Sequence, residues 1–378
     1  MMTALPLSRS PQSSAAGPSQ QLYMLLREAP DRAAASAYLQ RRLAEAAALS
    51  PAWSGGLPGL EQWLELRSRN RAEEFRQYQL GRQQGAPRRH FATLAQARRF
   101  LCVQAPGLLV EGAWLHTVLD HWRQASYMPL VKLYLDYLGK GVAGANHVAL
   151  VRQVLAVQGC STWQDLEDSG FVQGAIRLAL AGTGERCLPE LLGYQLAVAD
   201  QPAAQPSILL ELAELGITLP PPPPSDSTVL DVLRALLGGD PERAAESLQR
   251  LELGYGLGRI GLQTLPATPE DGAPQDPPVA NGAASAAIFD PPAGNAVAAE
   301  TAPAPAAPRP ILRHRFDGDE HAWETITSDL GLLEAQIAAC SGKAEAMTML
   351  ARHMGPAVHH QPLGLMATRV YSQLFALA

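Results

Sequence analysis

The chain is 378 residues long, and its 30 Lys and Arg against 36 Asp and Glu give a formal net charge of −6 at pH 7. This length suffices for one large domain or two ordinary ones. The negative charge argues against nucleic-acid binding, because neutralising phosphates needs a concentrated basic surface. No apolar run reaches the roughly 18 residues of a membrane-spanning helix, and the N-terminus lacks the pattern of a secretory signal. We therefore expect a cytoplasmic protein without a nucleic-acid or membrane partner.

Apolar residues recur at spacings of three and four along most of the chain, which predicts amphipathic helices and no sheet. The fold class predicted from this pattern is all-α. Pro30 is expected to split or kink the first helix. The predicted helices, in chain order, cover residues 22–49, 59–83, 106–123, 127–139, 145–158, 170–183, 187–199, 205–215, 227–238 and 241–254.

Two Pro-rich stretches interrupt these helices. The five consecutive prolines Pro220–Pro224 predict a short polyproline segment. A second stretch is dominated by Pro, Ala and Gly, and it predicts a disordered linker because it cannot bury enough apolar surface to fold. Helical periodicity then resumes, with Asp317 or Asp319 as the candidate N-cap. The predicted regions are a disordered N-terminus, a helical bundle, the linker, and a C-terminal helical segment packed on the bundle: residues 1–20, 21–263, 264–310 and 311–378.

The four cysteines, Cys102, Cys160, Cys187 and Cys340, lie far apart in the sequence and include no CxxC pair. This spacing argues against a zinc knuckle and against a redox dithiol. We expect all four cysteines to be reduced and mostly buried.

Four sequence phrases carry a resemblance to a known family: VEGAWL, NHVALVRQVL, FVQGAIRLALA and PELLGYQLA, all within residues 110–197. They resemble the haem-oxygenase-like diiron oxidases, whose members bind two irons and no haem. The resemblance extends well over residues 90–263 and moderately over residues 345–376. It implies a haem-oxygenase-like helical bundle, here with extra helices at the N-terminus.

The resemblance also implies candidate metal ligands. A helical bundle binds iron through carboxylates and imidazoles that project inward from facing helices and leave positions open for dioxygen. Carried over residue by residue, the first carboxylate falls on Glu111, the histidine of the second helix on His147, and the carboxylate of the third helix on Glu190. The implied cofactor is non-haem iron, as one or two ions.

The sequence departs from the family at two of the expected ligand positions. Tyr137 stands ten residues before His147, where the family has Glu, and the proline run replaces the family's last cluster of His and Asp. Asp136, Asp226 or a histidine from beyond the linker would then have to complete the site.

Two other groups of histidines lie in the C-terminal part of the chain. His314, Asp317 and His321 have helical spacing, but the expected cap at Asp319 argues against one helix through all three. A structural or partner-facing role is expected for the remaining group: His353, His359 and His360.

Three functions remain open. The resemblance implies an oxidoreductase in which iron activates dioxygen on a small amine, amino acid or acyl substrate in biosynthesis. The alternative is a catalytically inactive relative without iron, a helical scaffold or regulatory partner, in which Tyr137 fills the metal pocket and hydrogen-bonds Glu111 or His147. The third is a small-molecule-binding module, which a deep apolar pocket would favour. A homodimer or a biosynthetic partner protein is compatible with the first two.

Overall fold

The computed structural model describes residues 16–224, 226–237, 241–262 and 320–376. These ranges contain fourteen α-helices and no β-strand, which confirms the all-α fold class. The helices are α1 (Pro18–Glu28), α2 (Arg32–Ala46), α3 (Gly56–Gln83), α4 (Leu94–Leu108), α5 (Met128–Tyr137), α6 (His147–Val157), α7 (Asp168–Thr183), α8 (Leu188–Val198), α9 (Pro206–Glu214), α10 (Asp226–Leu237), α11 (Pro241–Leu257), α12 (Glu320–Ala339), α13 (Lys343–His353) and α14 (Pro362–Ala376). No helix among the described residues is long and apolar enough to cross a bilayer.

The break predicted at Pro30 is confirmed. Helix α1 ends at Glu28, and α2 begins after Asp31, whose side chain accepts a hydrogen bond from the backbone N–H of Ala34 at 2.9 Å. Proline lacks the N–H that a continuous helix needs, and Asp is a favoured N-cap residue. The sequence therefore specifies both the end of one helix and the start of the next.

The helix predicted over residues 106–123 is wrong. Helix α4 ends at Leu108, and the chain turns and continues as a 3₁₀-helix over Ala113–His121. Gly112 lies in the turn with φ +80°, and a Cβ atom there would lie 2.8 Å from the Cγ of Tyr137. Only glycine adopts this backbone conformation without strain while the Tyr137 ring lies against it.

The expectation of four reduced cysteines is wrong for two of them. Cys102 of α4 and Cys160, which follows α6, form a disulfide with their Cα atoms 5.1 Å apart, within the usual range for disulfides. Their sequence separation of 58 positions hid the pairing, because α4 and α6 become neighbours only in the folded chain. Cys187 and Cys340 are free.

Helices α7 and α8 lie at the centre of the fold. Helix α7 packs against α1, α2, α4 and the 3₁₀-helix, and α8 packs against α11. Nearly every residue of α8 is buried. Of the residues assigned to iron, Glu190 lies on α8.

The C-terminal helices are tied to the bundle by hydrogen bonds to backbone carbonyls. The Tyr134 hydroxyl donates to the carbonyl of Met354 at 2.7 Å, and the Tyr371 hydroxyl donates to that of Leu119 at 3.2 Å. Residues 324–376 belong to the same compact unit as residues 16–262, and a second unit, Pro266–Trp323, includes only the start of α12 among the described residues. Other predicted features lie outside the described residues: the linker 264–310, His314, Asp317, Asp319 and the side chain of His321.

Close contact between α8 and α11 depends on glycines. A Cβ atom at Gly193 of α8 would collide with the backbone carbonyl oxygen of Leu251, whereas one at Gly331 of α12 would meet nothing within 4 Å. We expect Gly193→Ala to lower the free energy of unfolding by about 1–3 kcal/mol, because backbone atoms have to move apart. The matched control, Gly331→Ala, should raise it by about 0.5–1 kcal/mol, since alanine favours the helix. Urea denaturation of both variants tests this, and equal effects would contradict it.

Candidate functional site

Glu111 is bonded to a buried arginine. It follows α4 and is 5% exposed, while Arg177 projects from α7 and is 3% exposed. The Nη1 group of Arg177 donates to the Glu111 carboxylate and to the carbonyl of Gly107, the latter at 2.6 Å. The Arg177 guanidinium also lies 5.1 Å from the centre of the Trp114 ring. The first candidate iron ligand is thus paired with a guanidinium cation.

Tyr194 and two glutamines complete the hydrogen bonding around Arg177. Its Nε donates to the Tyr194 hydroxyl at 2.8 Å, and its Nη2 donates to the Oε1 of Gln201. The Tyr194 hydroxyl in turn donates to the Oε1 of Gln173 at 2.9 Å. A buried charge is tolerated when it is both paired and hydrogen-bonded, and this network meets both conditions.

Burial and mutual attraction act in opposite directions on the pKa values of this pair. Burial raises the pKa of the Glu111 carboxyl above its ordinary value, and the Arg177 guanidinium opposes that rise. Burial also acts to lower the pKa of Arg177, but Glu111 and Tyr194 outweigh it and raise that pKa above its ordinary value. The guanidinium therefore keeps its proton, and a carboxylate at bonding distance to it is favoured in the charged form.

His147 faces the same small cavity as Glu111 and Arg177. It is the first residue of α6, after Asn146, whose side chain caps the helix by accepting from the Ala149 N–H at 3.0 Å. The cavity measures about 30 Å³, which is room for about one water molecule. Burial, and secondarily Arg177, lowers the pKa of His147 to about 4, so the imidazole is neutral.

The cavity wall comes from several parts of the chain. Residues of α4, of α7 and of the proline run contribute to it. Its lining residues are Gln104, Gly107, Leu108, Glu111, His147, Val151, Gln173, Arg177, Val198, Gln201, Ala203, Ala204, Leu219, Pro220, Pro222 and Leu262.

Glu190 is directed elsewhere. It lies in the first turn of α8, directly after Pro189, and both of its carboxylate oxygens accept hydrogen bonds from Arg250 of α11 at 2.8 Å. It is not among the residues that line the cavity. The structure therefore brings Glu111 and His147 together and leaves Glu190 in a separate ion pair with a second arginine.

Asp136, one of the residues considered as a substitute ligand, is directed away from the cavity. Asp136 is 46% exposed and pairs with Lys140 at 3.0 Å on the surface. The side chain of Asp226 lies outside the described residues. Tyr137 is buried and packs edge-on against the rings of Trp114 and His147, each 5.8 Å away.

Tyr137 occupies space next to the cavity without the predicted hydrogen bond. Its hydroxyl is not bonded to Glu111 or His147 in the described part of the chain. The ring instead packs by aromatic contact, which favours edge-on geometry at this separation.

Within the described ranges, the side chains around Glu111 do not form the donor set of a metal centre. Among the side chains that the structure describes, no three or more His, Cys, Asp and Glu residues are grouped to hold a metal ion. A cation at Glu111 would also lie beside the positive charge of Arg177, with Glu190 outside the cavity. In this arrangement the residues do not fit an iron centre, and iron binding by Glu111, His147 and Glu190 stays a prediction.

Arg177 is the residue that the sequence analysis missed, although a signal was present. It is the only charged residue in residues 170–183, and Glu111 is the only Asp, Glu, Lys or Arg in residues 101–119. Charged residues are almost never buried unless paired. Two lone and opposite charges, each inside an apolar helical run, therefore predict a buried ion pair.

The C-terminal histidine His359 is part of the packing next to His147. It is 1% exposed, and its Nδ1 lies 3.2 Å from the side-chain nitrogen of Asn146. Asn146 therefore links the N-terminus of α6 to the segment between α13 and α14. This position fits the structural role expected for His359.

Acid should destabilise the protein through these buried imidazoles. Burial lowers the pKa of His359 to about 3 and that of His147 to about 4. Both histidines take up protons below about pH 6.5 in the unfolded chain and at much lower pH in the folded one. We therefore expect the free energy of unfolding to be highest above about pH 6.5 and to fall as the pH decreases toward 4. Urea denaturation at about pH 7.5 and 5 measures this, and His359→Gln should flatten the dependence; an unchanged slope would contradict it.

No family model, curated protein or solved structure matches the chain. The class of protein that the fold defines is an all-α helical protein with an ion pair at its centre. The resemblance to the haem-oxygenase-like oxidases depends on the four sequence phrases alone.

Proposed function

We propose that the chain is a haem-oxygenase-like helical bundle that works without iron, as a non-catalytic scaffold or regulatory partner protein. The observation that supports this proposal is the bond between Glu111 and Arg177 at the centre of the bundle. A buried carboxylate needs a compensating cation. In the related oxidases iron supplies that charge, and here a guanidinium supplies it.

The second carboxylate supports the same conclusion. Glu190 is held by both oxygens to Arg250, so each glutamate that the resemblance assigns to iron has its own arginine. Bidentate pairing suits the planar guanidinium and fixes the carboxylate in one orientation. Releasing either carboxylate to a metal would break an ion pair and leave a positive charge beside the metal.

The small size of the cavity also supports the proposal that no small substrate binds at this site. Ligand pockets usually enclose about 300–1,000 Å³, whereas the cavity beside Glu111 and His147 measures about 30 Å³. It has no room for an amine, amino acid or acyl substrate.

The competing proposal is the iron-dependent oxidoreductase. One observation favours it, since Glu111 and His147, from separate parts of the chain, line the same cavity. Under this proposal Arg177 would have to leave Glu111 when iron binds, and the cavity would have to widen for dioxygen and substrate.

Iron loading separates the two proposals. Protein purified without chelators is reconstituted anaerobically with ferrous iron, desalted and analysed for metal, then exposed to air with optical monitoring. We expect no more iron in the unaltered protein than in the matched Glu111→Gln variant, and no absorption change that depends on oxygen. One or two irons per chain that are lost in Glu111→Gln would overturn the iron-free proposal and support the oxidoreductase.

A further inference from the structure

The proline run lies between α9 and α10 and is neither helix nor strand in the described structure. Proline fixes φ near −65° and offers no N–H group, so consecutive prolines favour the polyproline II helix, which has about three residues per turn. The backbone of Pro220–Pro224 is therefore restricted before any partner binds.

The run has an inner and an outer side. Pro220 and Pro222 contribute to the wall of the cavity that contains Glu111. Pro221 and Pro224 are exposed. These two residues are three apart, which places them on the same edge of a polyproline II helix.

A surface groove of about 500 Å³ runs beside this segment. Pro221–Pro224 form one wall of the groove, and Ala72 and Phe75 of α3 with Leu209 of α9 belong to the rest. The lining is mainly apolar, and its volume lies within the range of pockets that receive drug-sized groups. An aromatic side chain inserted here would contact the proline rings and Phe75 together.

We propose that Pro220–Pro224 and this groove form a docking surface for a protein domain that recognises polyproline helices through aromatic side chains. Such domains pack aromatic rings between prolines and gain affinity because the ligand is already ordered. The inference rests on the proposed function as a partner protein and names the class of partner.

The test uses the full chain with three probes, an isolated SH3 domain, a WW domain and an EVH1 domain, titrated by calorimetry. We expect at least one probe to bind, and the double variant Pro221→Ala with Pro224→Ala to weaken that binding by about tenfold or more. Phe75→Ala, at another lining residue of the groove, should also weaken it. The matched control is Pro87→Ala, an exposed proline outside the run, which should leave the affinity unchanged.

Two results would overturn the inference. One is the absence of binding by all three probes. The other is equal binding by the double variant and the unaltered protein, which would assign the contact to other prolines, such as those of residues 264–310. Circular dichroism and thermal unfolding establish that each variant is folded. An iron-free protein that binds no probe overturns this inference alone, whereas iron binding that depends on Glu111 overturns the proposed function alone.

Discussion

Replacement of Arg177 by Met should lower the free energy of unfolding by about 3–5 kcal/mol, the usual cost of removing one partner of a buried ion pair. Methionine approximates the length of the aliphatic part of Arg177 but leaves the Glu111 carboxylate without its cation. It also removes the donors to Tyr194, Gln201 and the carbonyl of Gly107. Urea denaturation at neutral pH measures the loss. The dependence of the unfolding free energy on urea concentration should be the same in the variant and the unaltered protein.

Two further variants distinguish the ion pair from simple packing. Adding Glu111→Gln to Arg177→Met should recover part of the loss, because no uncompensated charge then remains in the core. Arg250→Met should cost less, since Arg250 is 32% exposed and water partly solvates Glu190 after its removal. An Arg177→Met variant as stable as the unaltered protein would contradict the central role of the pair and would remove the main support for an iron-free bundle.

Most helices could be predicted from the sequence because their apolar spacing is regular. The helix predicted over 127–139 occurs as Met128–Tyr137, and that over 145–158 as His147–Val157. The prediction of a helix over 106–123 was wrong because the local apolar pattern carries no information about a contact with an aromatic ring far away in the sequence. Gly112 turns the chain where Tyr137 packs, and those residues lie 25 positions apart in the sequence.

The site could be predicted only in part. Glu111 and His147 were placed by the resemblance, and the structure brings them to one cavity. Which cation pairs with Glu111 depends on how α7 faces the end of α4, which apolar spacing does not specify. The partner of Glu190 depends likewise on the packing of α11 against α8, where Gly254 lies against the Glu190 backbone and Arg250 reaches its side chain from one turn away.

Glu211 of α9 should be a second large contributor to stability, although the sequence around it contains no motif that predicts this role. Its buried carboxylate accepts backbone hydrogen bonds from Arg89, His90 and Phe91 and one from the Tyr78 hydroxyl. Burial acts to raise the pKa of Glu211, but the bonds from Tyr78 and the three N–H groups outweigh it and lower that pKa. The carboxylate thus holds the loop between α3 and α4 in place.

We expect Glu211→Ala to lower the free energy of unfolding by about 4 kcal/mol, since several donors lose a charged acceptor at once. Because the folded pKa of Glu211 lies below its ordinary value, its stabilising contribution is complete above that ordinary value and is lost as the pH falls through the folded pKa. Urea denaturation at neutral pH gives the loss. The control is Glu214→Ala, on the same helix, whose partly exposed pair with Arg82 should contribute about 1 kcal/mol or less. A loss in Glu211→Ala as small as that in Glu214→Ala would contradict this prediction. It would show that apolar contacts, such as those of the buried Phe91, hold the loop and that the carboxylate adds little.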